Sequence, residues 1–142
     1  MGAESDATWA IDPVGLERAG GNFSATLRDW GRLGLLLANY GERDGQQIIP
    51  AEWVKAATHA ESPHLRPGVA TFHNGYGYQT WLIDNEGKFA LLGVRGQAVM
   101  VDPATKTVVV HTAVHASSTD GTARGPQFQF FFNTLRTLSA YH

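Results

Sequence analysis

The sequence predicts an α/β sandwich: an antiparallel β-meander, a C-terminal helix packed on it, and helices from the N-terminal half. Three observations carry this. Residues 75–114 hold apolar runs broken by two clusters of turn residues. The joins between those runs are too short for parallel crossovers, so neighbouring strands run antiparallel. Phe128, Phe131, Phe132, Leu135 and Leu138 recur at helical spacing near the end of the chain. A chain of 142 residues suits one domain. Within it the helical segment covers about residues 24–60, the sheet about 75–115 and the terminal helix about 126–141.

Met1–Asn22 reads as irregular, with Trp9-Ala10-Ile11 its one apolar knot. Thr26 is an N-cap with an acid, Asp29, three residues on. Leu27, Trp30, Gly34 and Leu37 then share one helix face, and Arg28, Arg32 and Asn39 fall opposite. Leu33, Leu35 and Leu36 widen the apolar surface, so this helix is expected to be buried from more than one side. Gly41 is placed as the C′ residue. Pro50 opens a second short helix that would turn Trp53, Val54 and Ala57 inward. A loop over about Ser62–Asn74 leads to strands at about Tyr76–Ile83, Phe89–Val94, Ala98–Val101 and Thr107–Val114. Tyr76, Tyr78 and Thr80 would share a face of the first. Asp84-Asn85-Glu86-Gly87 and Asp102-Pro103-Ala104-Thr105 supply turns. A polar loop, Ser117–Gly125, precedes the final helix, which Pro126 would open.

Composition excludes more than it identifies. The net charge is −2, and Lys and Arg are scattered, so nothing marks a nucleic-acid surface. No apolar run is long enough to span a membrane. Met1–Asp12 has neither a basic start nor an apolar block, so no leader is read there. The chain has no cysteine and hence no thiolate chemistry. No P-loop, GxGxxG or HExxH pattern occurs, and Gly20-Gly21 reads as a turn. No cofactor is implied and no compartment is assigned. His111 and His115 lie i, i+4 in the expected last strand, about 13 Å apart along it, too far to share one metal ion. The four Trp and seven Phe are assigned to the core by default.

The ordered segments resemble class C β-lactamase-like serine hydrolases, a group that includes esterases and 6-aminohexanoate-dimer hydrolases. The resemblance runs from Ser5-Asp6-Ala7-Thr8-Trp9, through Ala19-Gly20-Gly21 and Ser24-Ala25-Thr26-Leu27-Arg28-Asp29, to Ile49-Pro50-Ala51-Glu52-Trp53-Val54. It continues in Tyr76-Gly77-Tyr78-Gln79-Thr80-Trp81 and Gly93-Val94-Arg95-Gly96-Gln97, then Val101-Asp102-Pro103. Gly-Gln followed by an apolar strand and Asp-Pro resembles the dimer-hydrolase-like branch most. The resemblance implies a C-terminal portion of a β-lactamase-like transpeptidase fold. It also implies attack on an amide or ester by a Ser-x-x-Lys serine, a Tyr-x-Asn second motif, a strand-borne third motif and an acyl-enzyme.

Those first two motifs are absent. Ser5, Ser24, Ser62, Ser117, Ser118 and Ser139 are not followed by Lys three residues on, and none of Tyr40, Tyr76, Tyr78 and Tyr141 begins Tyr-x-Asn. No residue of this chain is therefore a catalytic candidate, and the resemblance places the missing elements upstream of Met1. The third motif is altered. Arg95, or Val94 with a one-residue shift of register, stands near the cation position. By the resemblance, Arg95, Gly96 and Gln97 would line a pocket. Structural alternatives are a strand-end cation, a backbone constraint and a strand cap. The expected reading is a chain inactive by itself, from a parent acting on a small amide or ester. A second reading is a non-catalytic binding module, and a third an inert product. Uncovered apolar surface and a free sheet edge would favour self-association.

Overall fold

The computed structural model describes residues 1–18, 20–69, 74–117 and 121–141. A five-stranded antiparallel sheet lies between helices on its two faces. In chain order the elements are β1 (Thr8–Trp9), β2 (Phe23–Ser24), α1 (Leu27–Ala38), β3 (Glu42–Arg43), β4 (Gln46–Gln47) and α2 (Ala51–Ala57). After a short 3₁₀ turn at Pro63–Leu65 come β5 (Gly75–Tyr76), β6 (Trp81–Leu82), β7 (Phe89–Leu92), β8 (Ala98–Asp102), β9 (Thr107–His111) and α3 (Gly121–Ser139). The sheet order is β5-β6-β7-β8-β9, each strand antiparallel to the next. The predicted sandwich is therefore the observed one.

Both faces of the sheet are apolar, and strand alternation divides its side chains between two cores. Phe89, Val99 and Val101 pack with Leu82, Leu37, Ala38 and Val54 on the α1 side, joined by Leu91, Val108 and Val110. Ala90, Ala98 and Met100 pack with Ile83 and Leu135 on the α3 side, joined by Leu92, Val109, Phe128, Phe131 and Phe132. A one-residue register slip would exchange the two sets, so the pairing Val99↔Val110 and Met100↔Val109 is fixed from both sides. Each fully buried side chain of this kind contributes about 1.5–3 kcal/mol before entropy is subtracted.

Helix α1 sits close to the sheet because Gly34 has no side chain. A methyl group there would lie 2.5 Å from Val108 Cγ1 and 3.1 Å from Val99 Cγ1. Thr26 caps the helix, its hydroxyl oxygen accepting from the Asp29 N–H at 3.2 Å. Asp29 is buried at 1 % exposure and fastens the N-terminal segment to the helix. Its carboxylate accepts from the Glu4 N–H at 2.8 Å, the Thr26 hydroxyl at 2.8 Å and Arg32 Nη1 at 3.0 Å. The Glu4 N–H bond is the main cause holding its pKa below the ordinary value. Burial opposes this, while Thr26, the Ser5 N–H and the Arg32 charge reinforce it.

Several local expectations change. The N-terminal region is a hairpin, with Trp9 opposite Phe23 and Thr8 opposite Ser24. Helix α1 ends in a Schellman arrangement: Gly41 N–H donates to the Leu36 carbonyl at 2.8 Å and Tyr40 N–H to the Leu37 carbonyl at 3.0 Å. Tyr40 is thus the C′ residue, at φ 52°, and Gly41 follows it. In α2, with Pro50 as N-cap, Val54 and Ala57 are buried, but Trp53 is 51 % exposed. Trp9 is 47 % exposed, so neither tryptophan is core.

The expected strand over Tyr76–Ile83 is a hairpin of β5 and β6, closed by the Gly77 N–H to the Thr80 carbonyl at 2.8 Å. Gln79 takes φ 58°, so Tyr76, Tyr78 and Thr80 do not share a strand face. The Tyr78 N–H and the buried Thr80 hydroxyl both donate to the Ala57 carbonyl, which draws this turn onto the end of α2. Strand β9 stops at His111, leaving His115 outside it. Helix α3 starts at Gly121 rather than Pro126, which lies inside its N-terminal part. Of the expected polar loop, residues 118–120 lie outside the described residues.

Two outcomes follow from this packing. Gly34→Ala destabilises the chain by about 1–3 kcal/mol in urea unfolding, because overpacking exceeds the gain in helix propensity of at most about 1 kcal/mol. Asp29, with its pKa lowered on folding, stabilises the fold above the unfolded carboxyl value of about 3.9, and that contribution is lost as pH falls through the folded value. Asp29→Asn therefore flattens the acid limb of the stability–pH curve and lowers stability near neutral pH.

Candidate functional site

The sheet offers one built feature at the end where β7 passes to β8. Leu92 and Ala98 are the last paired residues, and Gly93–Gln97 makes the connection. The Gly93 N–H donates to the Gln97 carbonyl at 2.8 Å, which pinches the loop at its base. Arg95 at φ 70° and Gly96 at φ 97° turn the chain in the left-handed region. Glycine is required at 96 for a second reason: a methyl group there would enter the His115 ring and approach Gln127 Oε1 to 3.1 Å.

The three sequence-predicted residues sit together on this loop and point to different neighbours. Arg95 is exposed, and its Nη1 donates to the carbonyls of His115 at 2.8 Å and Ala116 at 2.9 Å. The His115 N–H returns a bond to the Arg95 carbonyl at 3.0 Å. Gln97 Nε2 donates to the Ala113 carbonyl at 2.8 Å. The loop is thereby tied to the stretch that follows β9. Val94, the alternative cation position, is 65 % exposed.

A cleft of about 40 Å³ opens between this loop and α3, lined by Gly93, Gly96, Gln97, Met100, Gln127, Phe128 and Phe131. That volume admits a water molecule or a methyl group, whereas substrate pockets span about 300–1,000 Å³. The described residues at this loop therefore enclose no substrate-sized cavity.

Sequence reasoning missed the convergence of His111, His115 and Gln127. His111 Nδ1 lies 3.0 Å from the Gly96 carbonyl oxygen and 2.7 Å from Gln127 Nε2. His115 Nε2 meets Gln127 Oε1. Extending β9 to Val114 would have held the histidines about 13 Å apart. In the structure the chain leaves the strand after His111, and both rings meet one side chain of α3. The available signal was Gln127, a polar residue four positions before Phe131 on the helix face that packs on the sheet. Among the described residues no group of three or more His, Cys, Asp or Glu could hold a metal ion. Nor is any helix among them long and apolar enough to cross a membrane.

With the fold and this loop in view, comparison with known proteins is informative. No family model matches the chain. A 6-aminohexanoate-dimer hydrolase of Paenarthrobacter ureafaciens is 30% identical over 115 residues, covering 78% of this chain and 29% of that protein. A solved structure from Bacillus anthracis, provisionally assigned as a 6-aminohexanoate-dimer hydrolase, superposes with a TM-score of 0.79 at 28% identity. It covers 98% of this chain and 36% of the other. Both comparisons support a fragment of a β-lactamase-like hydrolase family, carrying part of that fold. Within the family, the relatives identified are 6-aminohexanoate-dimer hydrolases, and the chain spans about a third of their length.

The loop geometry yields a direct test. Gly96→Ala forces a side chain into the left-handed region and into the His115 ring. It is expected to cost about 1–3 kcal/mol in urea unfolding and to change the ring signals of His115 by NMR.

Proposed function

We propose that this chain supplies the sheet and one pocket wall of a serine hydrolase that cleaves a linear amide or ester through an acyl-enzyme, and that it performs no chemistry alone. One observation carries the reading: almost the whole chain superposes on a 6-aminohexanoate-dimer hydrolase structure while containing no Ser-x-x-Lys. A nucleophilic serine needs a neighbouring base to be activated at neutral pH, and none of the serines here has a lysine three residues on.

In this reading Arg95, Gly96 and Gln97 border the substrate. Gly96 lets the loop turn against the His115 ring, where a larger residue would not fit. Arg95 would serve as a positive charge rather than a base. The polar edge of the wall would orient the substrate, and Met100, Phe128 and Phe131 would contact its aliphatic part.

The experiment compares two proteins. The 142-residue chain is expected to show no turnover of 6-aminohexanoate dimer or of a nitrophenyl ester above the buffer rate. A longer chain that carries Ser-x-x-Lys ahead of this segment is expected to hydrolyse one of them with burst kinetics. Turnover by the short chain, or none by the longer folded one, would sink the proposal.

A further inference from the structure

The two edges of the sheet are built differently. At one edge β5 is two residues long, which leaves little backbone to pair. At the other, β9 runs for five residues, Thr107–His111, and no strand among the described residues pairs with its outer side. Edge strands are ordinarily blunted by a lysine, a proline or a bulge. The run Thr-Val-Val-Val-His holds no lysine and no proline. Its pairing with β8 continues without a bulge from Asp102↔Thr107 to Ala98↔His111. All five residues of β9 are half-buried, whereas all five of β8 are buried. β8 has a strand on each side, and β9 lacks the second.

Both helices overhang this edge, since α1 and α3 each pack chiefly on β8 and β9. On α1, Gly31 stands over Val110 and Gly34 over Val108. Leu37, on one flank of that line, is buried with Leu82 and Phe89 toward the middle of the sheet. Leu35, on the other flank, projects past β9 and is 44 % exposed. On α3, Phe131 lies against the His111 ring at 4.3 Å between centroids. Leu138, about two turns further along the same side, is 43 % exposed. Arg136, on the opposite flank of α3, acts on Glu86 at the turn between β6 and β7. The free edge is therefore the floor of a groove with an apolar wall on either side. Its occupant has to be an extended segment that is apolar on both faces.

β9 is itself such a segment: Val108 and Val110 join the core under α1, and Val109 joins the core under α3. We propose that two copies of this chain pair through their β9 edges, antiparallel about a twofold axis at Val109, and join their sheets into one. Three features select a second copy. The axis sets Thr107 opposite His111 and Lys106 opposite Thr112, so no two lysines face each other across the seam. Helices centred between β8 and β9 lie about 5 Å from the seam at a strand spacing of about 4.8 Å. Each then meets its twofold mate at about 10 Å, an ordinary helix-packing distance. The axis also passes between Gly31 and Gly34, so the two Arg28 side chains fall at opposite ends of the α1 contact. They lie about 13 Å apart along it, beyond the screening length of about 10 Å at ordinary salt. A five-residue seam alone is small beside the roughly 800 Å² that each partner buries in a stable complex. The helix contacts on both faces supply the remainder. The pairing does not rest on the hydrolytic reading, and its test needs no turnover.

The test is sedimentation equilibrium of the 142-residue chain, with hydrogen exchange of its amides. The chain, of 15.4 kDa, is expected to sediment as a pair at micromolar concentration. Alternate amides of Thr107–His111, those on the outer side, should gain about tenfold or more in protection as concentration rises through the dissociation constant. Leu35→Lys and Leu138→Lys each put a charge into one wall and should weaken pairing about tenfold or more. Both positions are exposed in the single chain, so the variants are expected to fold. Trp53→Lys, at a residue of α2 that is 51 % exposed and away from this edge, should leave pairing unchanged. A monomer would overturn the proposal, and outer β9 amides already protected in that monomer would assign the groove to another segment of the chain. A dimer whose β9 amides gain nothing, or one that Trp53→Lys dissolves as readily as Leu35→Lys, would overturn it as well. Should a variant fail to fold, the wild-type exchange decides alone.

Discussion

The rest of the structure depends on one constraint: a five-stranded antiparallel sheet with apolar side chains on both faces. Water cannot be left on either, so each needs its own cover. Helix α1, with Val54 of α2, covers the face of Phe89, Val99 and Val101, and α3 covers that of Ala90, Ala98 and Met100. This explains why Gly34 lies where α1 crosses the sheet and why Leu135 of α3 is fully buried. It also fixes the β7–β8 loop. Strands with register set from both sides leave their connection no freedom to slide, so Gly96 and Arg95 are delivered to the same end of the sheet as His111.

The loop is then held by polar bonds rather than by packing. Arg95 and Gln97 attach it to the carbonyls of His115, Ala116 and Ala113, and Gln127 attaches it to the helix. A loop held this way keeps its backbone groups at a defined position while its apolar support lies one layer below. This is consistent with the partial character of the fold, since the cleft beside it admits a water molecule and not a substrate.

Much of this was legible in the sequence where one physical rule acted alone. Apolar runs at about Phe89–Val94, Ala98–Val101 and Thr107–Val114 between turn clusters, and helical spacing from Phe128 to Leu138, gave the sandwich. The Thr26 cap and Arg95-Gly96-Gln97 as a turning point could be read directly. What could not be read came from contacts between distant segments. Tyr76–Ile83 has strand composition, yet the Ala57 carbonyl draws Tyr78 and Thr80 into a turn. Asp29 looked like a first-turn acid, and only the return of Glu4 and Ser5 to the helix makes it a buried anchor. The pairing of His111 with His115 through Gln127 depends on where β9 ends, which the β-branched run through Thr112 and Val114 conceals.

The proposal to be tested is that this chain is the supporting part of a β-lactamase-like hydrolase whose nucleophile lies in a longer chain. The most direct measurement is to read the coding DNA ahead of the Met1 codon. The account predicts, in frame, a Ser-x-x-Lys followed by a Tyr-x-Asn. A stop codon or unrelated sequence in that frame would contradict it and leave a folded sheet with no chemistry to serve.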